Sequence, residues 1–535
     1  MTGPARVRQP SHFVLAAAAW LGAAAGVASA QVRQTQNGPV QGLTVGTEAQ
    51  FLGIPFAAPP VGTLRWQPPQ PAANWTGTLP ATAFGAPCPQ IGLTSASENC
   101  LTLNVYAPTS AAPGSKLPVL VWIYGGSFIA GESGMYDPTT LVTRGNVVAV
   151  TLNYRIGYLG FLAHPALSAA DPHDVSGNYG ILDQKYALTW VRNNIANFGG
   201  DPAQITVFGE SAGGQSVYAQ LIAANPVKLK AAIAESGAFQ TNYPTLATAE
   251  AAGEQAATAL GCPDQTLSCL LALSASTLAN ALNPLSNAGG IGPVIDGVYL
   301  PSGPAVAFSQ GNFEKIPIIS GGNHDEMRLF VAFDQYFGAP PLTAATYEAN
   351  VQAAFGASAA SVLAQYPLGN YTTPDYAWAA VETDEIFACN THLLNAQLSP
   401  YTKVYAYELN DPNGPEPVGP AIPGFTYGSA HGSDMSFLFP TLFAPVIRTG
   451  PPRLTPAELT LATTLQDFWL SLARYDRPLA PQSGAWLTFN NTSQDVLSLV
   501  PPATAIETNF VANHHCAFWA PRLLSEAGLP PGSAY

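Results

Sequence analysis

Short runs of apolar residues recur along the chain, and many of their members are β-branched or aromatic. Longer mixed segments separate these runs, and each is long enough to hold a helix. Continuous apolar strands that alternate with helices are typical of a mostly parallel sheet with helices on both faces. The pattern therefore predicts an α/β protein. The strand candidates are residues 119–124, 147–152, 205–208, 316–320 and 404–409.

The first thirty residues predict a secretory signal peptide. Arg6 and Arg8 give a positive start, residues 13–27 form an alanine-rich apolar run, and residues 28–30 (ASA) are a small-residue cleavage pattern. A membrane anchor is the alternative, but the run is shorter than the ~20 residues that span a bilayer. No later run is that long. We therefore expect a soluble protein, secreted to the periplasm or the cell exterior, without stable membrane anchoring.

No proline-rich or serine-rich linker and no charge run divides residues 31–535, which we predict to form a single domain.

The charge balance limits the classes of partner that the protein can bind. The chain has 33 acidic and 19 basic residues, a formal net charge of −14. This negative charge repels polyanions, which argues against nucleic acid as a partner.

Cysteine usage also fits export. All six cysteines lie after residue 30, and an even number in an oxidising compartment favours three disulfides. Neither Cys-x-x-Cys nor His-Glu-x-x-His occurs, so the common zinc motifs are missing from the sequence. We therefore expect no structural or catalytic metal.

The most specific local motif is Gly-Glu-Ser-Ala-Gly at residues 209–213, directly after the strand candidate 205–208. The pattern G-x-S-x-G between a strand and a helix marks a sharp turn that needs small residues and exposes a nucleophilic serine. Ser211 is therefore the candidate nucleophile, and the helix that begins at Ala212 offers amides to a developing oxyanion. A glycine-rich turn with an ordinary solvated serine is the alternative.

Longer segments around this motif resemble the type-B carboxylesterase family of the α/β-hydrolase fold, which includes cholinesterases and some fungal lipases. The similarity covers nearly the whole chain after residue 30. Its segments are FLGIPFAAPPVGTLRWQPPQP (51–71), ENCLTLNVYAP (98–108), VWIYGGSF (121–128), GNYGILDQKYALTWV (177–191), FGGDPAQITVFGESAGG (198–214), PVIDG (293–297), GGNHDE (321–326) and GSAHGSD (428–434). The resemblance implies a mostly parallel central sheet with a serine hydrolase site.

The resemblance assigns the acid to Glu326 and the base to His431, in the chain order serine, acid, histidine that α/β-hydrolases show. Ser211 needs such a base because its hydroxyl pKa lies far above 7, and the base needs an orienting carboxylate. Asp325 is the rival acid, and the resemblance favours Glu326. We expect His324 at the rim of the pocket. No catalytic role is expected for the remaining histidines after residue 30, which are His164, His173, His392, His514 and His515.

The oxyanion hole is where the sequence departs from the family. Family members usually carry three glycines before the phenylalanine, whereas this chain has Gly125, Gly126 and Ser127 before Phe128. The implied donors are the backbone N–H groups of Gly126, Ser127 and Ala212, and a side-chain change leaves them in place if the backbone conformation is kept. We expect Ser127 to add a hydroxyl near the acyl pocket. The implied supporting residues are Glu210, Ser236 and Asp434, with ordinary buried hydrogen bonding as the alternative.

The resemblance also implies the disulfides and part of the specificity. The implied pairs are Cys88 with Cys100, Cys262 with Cys269, and Cys389 with Cys516. The first pair resembles the bridge that closes a flap over the family's gorge. Its loop, residues 89–99, is short and has no aromatic residue, whereas the cholinesterase loop carries a tryptophan that binds a quaternary ammonium. We therefore expect poor hydrolysis of choline esters and no lid-dependent lipase behaviour.

Small residues stand where cholinesterases have bulky acyl-pocket aromatics, which predicts room for medium or bulky acyl groups. They are Asn287, Ala288, Gly289, Gly290 and Gly292. The overall prediction is a secreted serine carboxylesterase that hydrolyses small-molecule esters through an acyl-serine, with no cofactor. A lipase acting on insoluble esters and a non-catalytic cholinesterase-like binding protein are the alternatives. The natural ester and the oligomeric state stay open.

Overall fold

The structure, a computed structural model, describes residues 31–224, 226–281, 291–415, 422–439, 454–481 and 483–535. The predicted signal peptide and residues 287–290 of the predicted acyl pocket lie outside this part. The strands are β1 (Val32–Thr35), β2 (Gly38–Gln41), β3 (Leu43–Val45), β4 (Glu48–Pro55), β5 (Leu79–Pro80), β6 (Thr102–Pro108), β7 (Leu117–Ile123), β8 (Val148–Leu152), β9 (Gly200–Glu210), β10 (Ala231–Glu235), β11 (Ile318–Asn323), β12 (Val404–Leu409), β13 (Val496–Val500) and β14 (Ala503–Glu507).

Eleven strands of the described residues form one sheet, in the order β14-β13-β12-β11-β10-β9-β7-β8-β6-β4-β3. The strands from β8 across to β13 run parallel, and antiparallel pairs flank them at both edges. Every residue of β8, β10 and β12 is buried, so both faces of the central sheet are covered. This confirms the predicted α/β class with a mostly parallel sheet. A second, three-stranded sheet has the order β1-β2-β5.

Helices fill most of the connections between the parallel strands. They are α1 (Thr139–Gly145), α2 (Gly157–Phe161), α3 (Pro165–Ser168), α4 (Tyr179–Asn194), α5 (Ala212–Ile222), α6 (Leu246–Ala259), α7 (Leu267–Ala272), α8 (Ala275–Asn280), α9 (Pro304–Ser309), α10 (Arg328–Tyr336), α11 (Ala344–Phe355), α12 (Ala359–Gln365), α13 (Pro374–Glu382), α14 (Cys389–Leu398), α15 (Met435–Leu438), α16 (Pro456–Tyr475), α17 (Phe510–Asn513) and α18 (Cys516–Glu526). α5 is buried along its whole length.

The predicted strands are present, with boundaries that tertiary contacts adjust. β12 has the predicted bounds. β9 begins at Gly200, before the apolar run, because Gly200 pairs with Leu117 of β7. β11 begins only at Ile318, since the N–H of Ile316 donates to the Glu314 carbonyl in a turn.

The carboxyl ends of the parallel strands meet at one edge of the sheet. β9 ends at Glu210, β10 at Glu235, β11 at Asn323 and β12 at Leu409. Open α/β sheets place ligands in the crevice outside this edge. The segments that follow these strands are therefore the place to look for a site.

The described cysteines are all paired in three disulfides, Cys88–Cys100, Cys262–Cys269 and Cys389–Cys516. This is the pairing that the family resemblance implies, and such bonds are consistent with an oxidising compartment. Within the described ranges, no helix combines the length and the apolar character that a bilayer span requires.

Candidate active site

Ser211 occupies the sharp turn between β9 and α5. Its backbone has φ 58° and ψ −126°, a region that residues other than glycine rarely adopt. The Ser211 N–H donates to the Glu235 carbonyl at 2.8 Å, which ties the turn to the neighbouring strand. The turn therefore holds the serine at the carboxyl edge of the sheet, before the N-terminus of a buried helix.

Two glycines allow this turn to pack against β7. A Cβ atom on Gly209 would lie 2.6 Å from the Ile123 carbonyl oxygen, and one on Gly213 would lie 2.0 Å from the same oxygen. Both distances are far below van der Waals contact. The glycines of G-x-S-x-G are therefore required by the close approach of backbone to backbone.

His431 and Glu326 form a buried hydrogen-bonded pair. His431 Nδ1 lies 2.6 Å from Glu326 Oε2. The other oxygen, Glu326 Oε1, accepts from Ser236 Oγ at 2.6 Å and from the Asn323 N–H at 2.7 Å. Because every donor around Glu326 holds it in one orientation, the His431 ring is fixed by the same network.

Of the two neighbouring acids, only Glu326 faces His431. Asp325 instead accepts from the Ser429 N–H at 3.1 Å and pairs with Arg328 at 2.9 Å. The geometry thus separates two carboxylates that the sequence alone left as rivals.

The second nitrogen of His431 faces a carboxylate. His431 Nε2 lies 3.3 Å from Oε1 of Glu210, the residue before the serine. Burial opposes protonation, but the charges of Glu210 and Glu326 outweigh it and raise the pKa of His431 to about 9. Burial raises the pKa of Glu210 to about 8, although His431 acts to lower it. The two shifts together mean that this buried pair favours its protonated forms.

The Ser211 side chain begins close to the Glu210 carboxyl group of this pair. Within the described residues it makes no hydrogen bond to His431, whose Nε2 faces Glu210 instead. A Cβ atom on Gly125 would lie 2.8 Å from Ser211 Cβ and 3.1 Å from Glu210 Oε2, so serine and carboxylate border the same small space. Catalytic hydrogen bonds in unliganded sites are often long and tighten only with substrate.

The predicted oxyanion donors belong to two segments, one after β7 and one directly after the serine. Gly126 and Ser127 have φ of 100° and 54°, so Ser127 adopts the left-handed conformation that favours glycine. Across the described part of the chain, the N–H groups of Gly126, Ser127 and Ala212 have no protein acceptor. These amides are therefore available to a substrate oxygen.

Aromatic side chains line the approach to His431. The rings of Phe330 and Phe387 have centroids 5.3 and 5.0 Å from the His431 ring. Phe239 packs on Phe387 at 5.9 Å. Sequence reasoning did not find these residues, because nothing in the motifs indicates which apolar side chains turn toward the site.

The disulfide loop at residues 88–100 is hydrogen-bonded to the segment that carries the predicted oxyanion donors. Gln90 Nε2 donates to the Gly131 carbonyl and the Gly131 N–H donates to Gln90 Oε1, both at 2.9 Å. At the other end of the loop, Glu98 accepts two hydrogen bonds from Arg65 at 2.6 and 2.7 Å. Neither of these two attachments, Gln90 to Gly131 and Glu98 to Arg65, is predictable from local sequence, since the partners lie more than thirty residues apart in the chain.

Two of the predicted supporting residues, Glu210 and Asp434, are buried acids whose charges act on His431. Asp434 accepts from Tyr407 at 3.0 Å, and burial raises its pKa to about 6. Glu235, which the sequence did not single out, is also buried, and its pKa is well above the usual range mainly because of burial. Its Oε1 accepts from Trp469 Nε1 at 2.9 Å.

The fold is that of the α/β-hydrolases. The carboxylesterase family model matches residues 29–519, and the chain belongs to that family. It is 36% identical over 493 residues to the fumonisin B1 esterase of Sphingopyxis macrogoltabida, covering 86% of this chain and 85% of that one. It is 33% identical over 496 residues to the para-nitrobenzyl esterase of Bacillus subtilis (strain 168), covering 88% and 94%.

A solved structure of a PNB esterase superposes with a TM-score of 0.74 at 30% identity, covering 90% of this chain and 98% of that chain. A thermophilic PNB esterase gives a TM-score of 0.75, also at 30% identity, covering the same shares. The α/β-hydrolase fold is therefore confirmed, and the protein is a carboxylic ester hydrolase that acts on small-molecule esters.

Proposed function

We propose that the protein is a secreted serine carboxylesterase that works through a covalent acyl-Ser211 intermediate and accepts medium or bulky acyl groups. The observation that carries this proposal is the 2.6 Å pairing of His431 Nδ1 with Glu326 at the sheet edge where Ser211 is held in a left-handed turn. A carboxylate that fixes the imidazole tautomer leaves Nε2 to exchange protons with a serine.

In acylation, the Ser211 oxygen attacks the ester carbonyl carbon while His431 Nε2 takes the hydroxyl proton. The developing oxyanion is held by the amides of Gly126, Ser127 and Ala212. Loss of one such donor typically costs about 10²–10³ in rate, so these amides supply a large part of the barrier reduction. His431 then gives its proton to the leaving alcohol as the tetrahedral centre collapses.

In deacylation, water replaces the alcohol and follows the reverse path. His431 removes a proton from water, the hydroxide oxygen bonds to the acyl carbon, and the Ser211 oxygen leaves with the proton returned by His431. Glu326 stays ionised throughout and stabilises the imidazolium that forms twice per turnover. No step requires a cofactor.

Glu210 tunes the base in this scheme. Its carboxyl group lies 3.3 Å from His431 Nε2 and favours the protonated imidazole. This interaction stabilises the imidazolium of both transition states, and it also keeps the resting base protonated to a higher pH. The rate should therefore rise with pH until the pair loses its proton.

Space beside Phe128 supports the acyl preference. A Cβ atom on Gly292 would lie 3.5 Å from the Phe128 ring and 3.7 Å from Gln240 Oε1, so this glycine leaves room that a larger side chain would fill. The two anchors of the 88–100 loop support an esterase over a lipase, because a loop held at both ends does not open at a lipid surface. The rate should then show no jump above the substrate's solubility limit.

The predicted leader at residues 1–30 and the three disulfides support secretion of residues 31–535 as a single domain.

A labelled fluorophosphonate, which phosphonylates an activated serine, tests the proposal. The folded protein should be labelled at Ser211, and the Ser211→Ala variant should remain unlabelled. Ser216→Ala, one helical turn later, serves as the matched control and should label normally. Failure to label the folded protein would favour the non-catalytic binding protein.

A panel of esters varied separately in acyl and alcohol size then tests specificity through kcat/KM. It should include para-nitrobenzyl esters and fumonisin B1, for which two relatives are named. Equal or better turnover of bulky acyl esters compared with acetyl esters is expected. A strict preference for acetyl esters would contradict the open acyl pocket.

A further inference from the structure

A second buried group of histidine and acidic side chains lies outside the catalytic cleft. His324 follows β11, Glu408 belongs to β12, and His514 follows α17. One nitrogen or oxygen atom from each of these three residues lies within 4.8 Å of the others. The side chains of Glu408 and His514 are each 3% exposed, and that of His324 is 36% exposed.

Each histidine of this group has a carboxylate behind it. His514 Nδ1 lies 2.6 Å from Asp384 Oδ1, and His324 Nδ1 lies 3.3 Å from Asp325 Oδ1. In the neutral imidazole, a carboxylate on Nδ1 fixes the tautomer in which Nε2 carries the lone pair. Metal-binding histidines almost always have such a partner.

The other nitrogen of His514, Nε2, faces Glu408. His514 Nε2 lies 2.5 Å from Glu408 Oε1, so one proton bridges them when no metal is bound. Glu408 Oε2 is buried, and the Glu408 side chain also shares a hydrogen bond with the carboxyl group of Glu507. A bound cation would offset the negative charge of these closely placed buried acids.

We propose that His324, Glu408 and His514 form a binding site for a divalent cation of the zinc type. Two imidazole nitrogens and one carboxylate are ligands that Zn²⁺ prefers, and a set of three protein ligands leaves one coordination position for water. Binding displaces the proton between His514 and Glu408, so the site loses a proton as it gains the metal. The exposed part of His324 provides the path from solvent.

The site would join three separate parts of the chain. His324 lies two residues before Glu326, Glu408 lies in the adjacent strand, and His514 lies two residues before the Cys389–Cys516 disulfide. A bound cation would therefore hold the loop that carries the triad acid candidate. This inference departs from the sequence analysis, which predicted no metal, and it does not depend on the proposed acyl-serine mechanism.

Calorimetric titration of chelator-treated, tag-free, disulfide-intact protein with Zn²⁺ alone tests the proposal. One equivalent should bind per chain, with a proton release seen as a dependence of the heat on the buffer's ionisation enthalpy. The melting temperature should rise by a few degrees at saturating Zn²⁺. Co²⁺ in place of Zn²⁺ should give the visible absorption of a low-symmetry four-coordinate site.

His324→Ala is the first variant to test. The His324 side chain is partly exposed and makes only a long hydrogen bond to Asp325, so its removal should not unfold the protein. Its affinity for Zn²⁺ should fall by more than ~100-fold, since even residues behind a ligand contribute about 10–100-fold. His173→Ala removes an exposed histidine elsewhere and should bind as the wild type does. Glu408→Gln, similar in shape, should also lose binding. Absence of saturable Zn²⁺ binding in the wild type, or equal binding by His324→Ala, would overturn the proposal.

Discussion

Two buried histidines, His431 and His514, each lie between two carboxylates, but their other neighbours differ. His431 is 2.6 Å from Glu326 and 3.3 Å from Glu210. His514 is 2.6 Å from Asp384 and 2.5 Å from Glu408. In both places the acids raise the histidine pKa against the effect of burial. The two flanking acids alone therefore do not show whether a histidine is a candidate catalytic base, as His431 is, or a proposed metal ligand, as His514 is.

The neighbours make the difference. His431 Nε2 faces Glu210, the residue before the serine of the strained turn, and in the proposed mechanism a proton taken by its ring is used in acyl transfer. His514 has another imidazole beside it, with ring centroids 5.1 Å apart, and no nucleophile among its contacts within the described residues. The same paired acids thus support chemistry in one place and a proposed cation site in the other.

Replacing the base should give the largest effect. We expect His431→Asn to lower kcat by about 10⁵–10⁶-fold, because members of such a triad act as a unit and losing one removes most of their joint effect. Steady-state kinetics and active-site titration measure this loss, and circular dichroism checks that the variant folds. A decrease of less than 100-fold would show that another group acts as the base.

The corresponding change at the second histidine should mainly affect stability. His514→Asn leaves Asp384 and Glu408 buried without their cationic partner, which typically costs about 3–5 kcal/mol. Guanidinium unfolding of both asparagine variants measures the free energy of unfolding. We expect the His514 variant to be the less stable and the His431 variant the less active, and the reverse ranking would erase the distinction drawn between them.

A smaller effect should follow from removing the acid next to the serine. Glu210→Gln takes away a charge that raises the pKa of His431, so the acidic limb of the kcat/KM profile should move to lower pH. The wild-type profile should still be rising toward about pH 9. Asp201→Asn, which removes a charge from the far end of β9, is the matched control and should leave the limb in place.

The same pair gives the sign of a stability effect. The folded pKa of His431 is raised from 6.5 to about 9 and that of Glu210 from 4.5 to about 8. Proton binding to the folded state therefore stabilises it fully below the unfolded pKa values, and this contribution is lost as pH rises toward 9. Glu210→Gln should flatten this alkaline loss, which thermal melts from pH 6 to 9 would detect. An unchanged slope would mean that other groups cause it.

The smallest expected effect concerns the oxyanion hole. Ser127→Gly keeps the backbone N–H and makes the left-handed conformation easier, so kcat should change only a few-fold for small acyl esters. Any larger change should be confined to esters whose acyl group reaches the Ser127 hydroxyl. Unchanged kinetics across the whole ester panel would remove any role for that hydroxyl.

Much of the fold and part of the candidate site were accessible from sequence because their signals are local. Apolar runs predicted β12 with its observed bounds, and G-x-S-x-G predicted the turn at Ser211, since backbone crowding at Gly209 and Gly213 excludes larger residues. The choice between Glu326 and Asp325 rested on resemblance alone. In the structure it depends on which side chain meets His431, more than a hundred residues away.

Local sequence therefore determined the strands, the serine turn and the family. The strands and the turn depend on the pattern of neighbouring residues, which sets the backbone geometry, and the family is indicated by short motifs of the same kind. Only the tertiary structure decided that His324, Glu408 and His514 meet, that Gln90 fastens the disulfide loop, and that Glu210 reaches His431. Parallel strands bring their carboxyl ends to one edge of the sheet, whatever the length of chain between them. Burial at this edge then sets how strongly the charged side chains interact. The spacing of residues within a motif carries no information about these contacts.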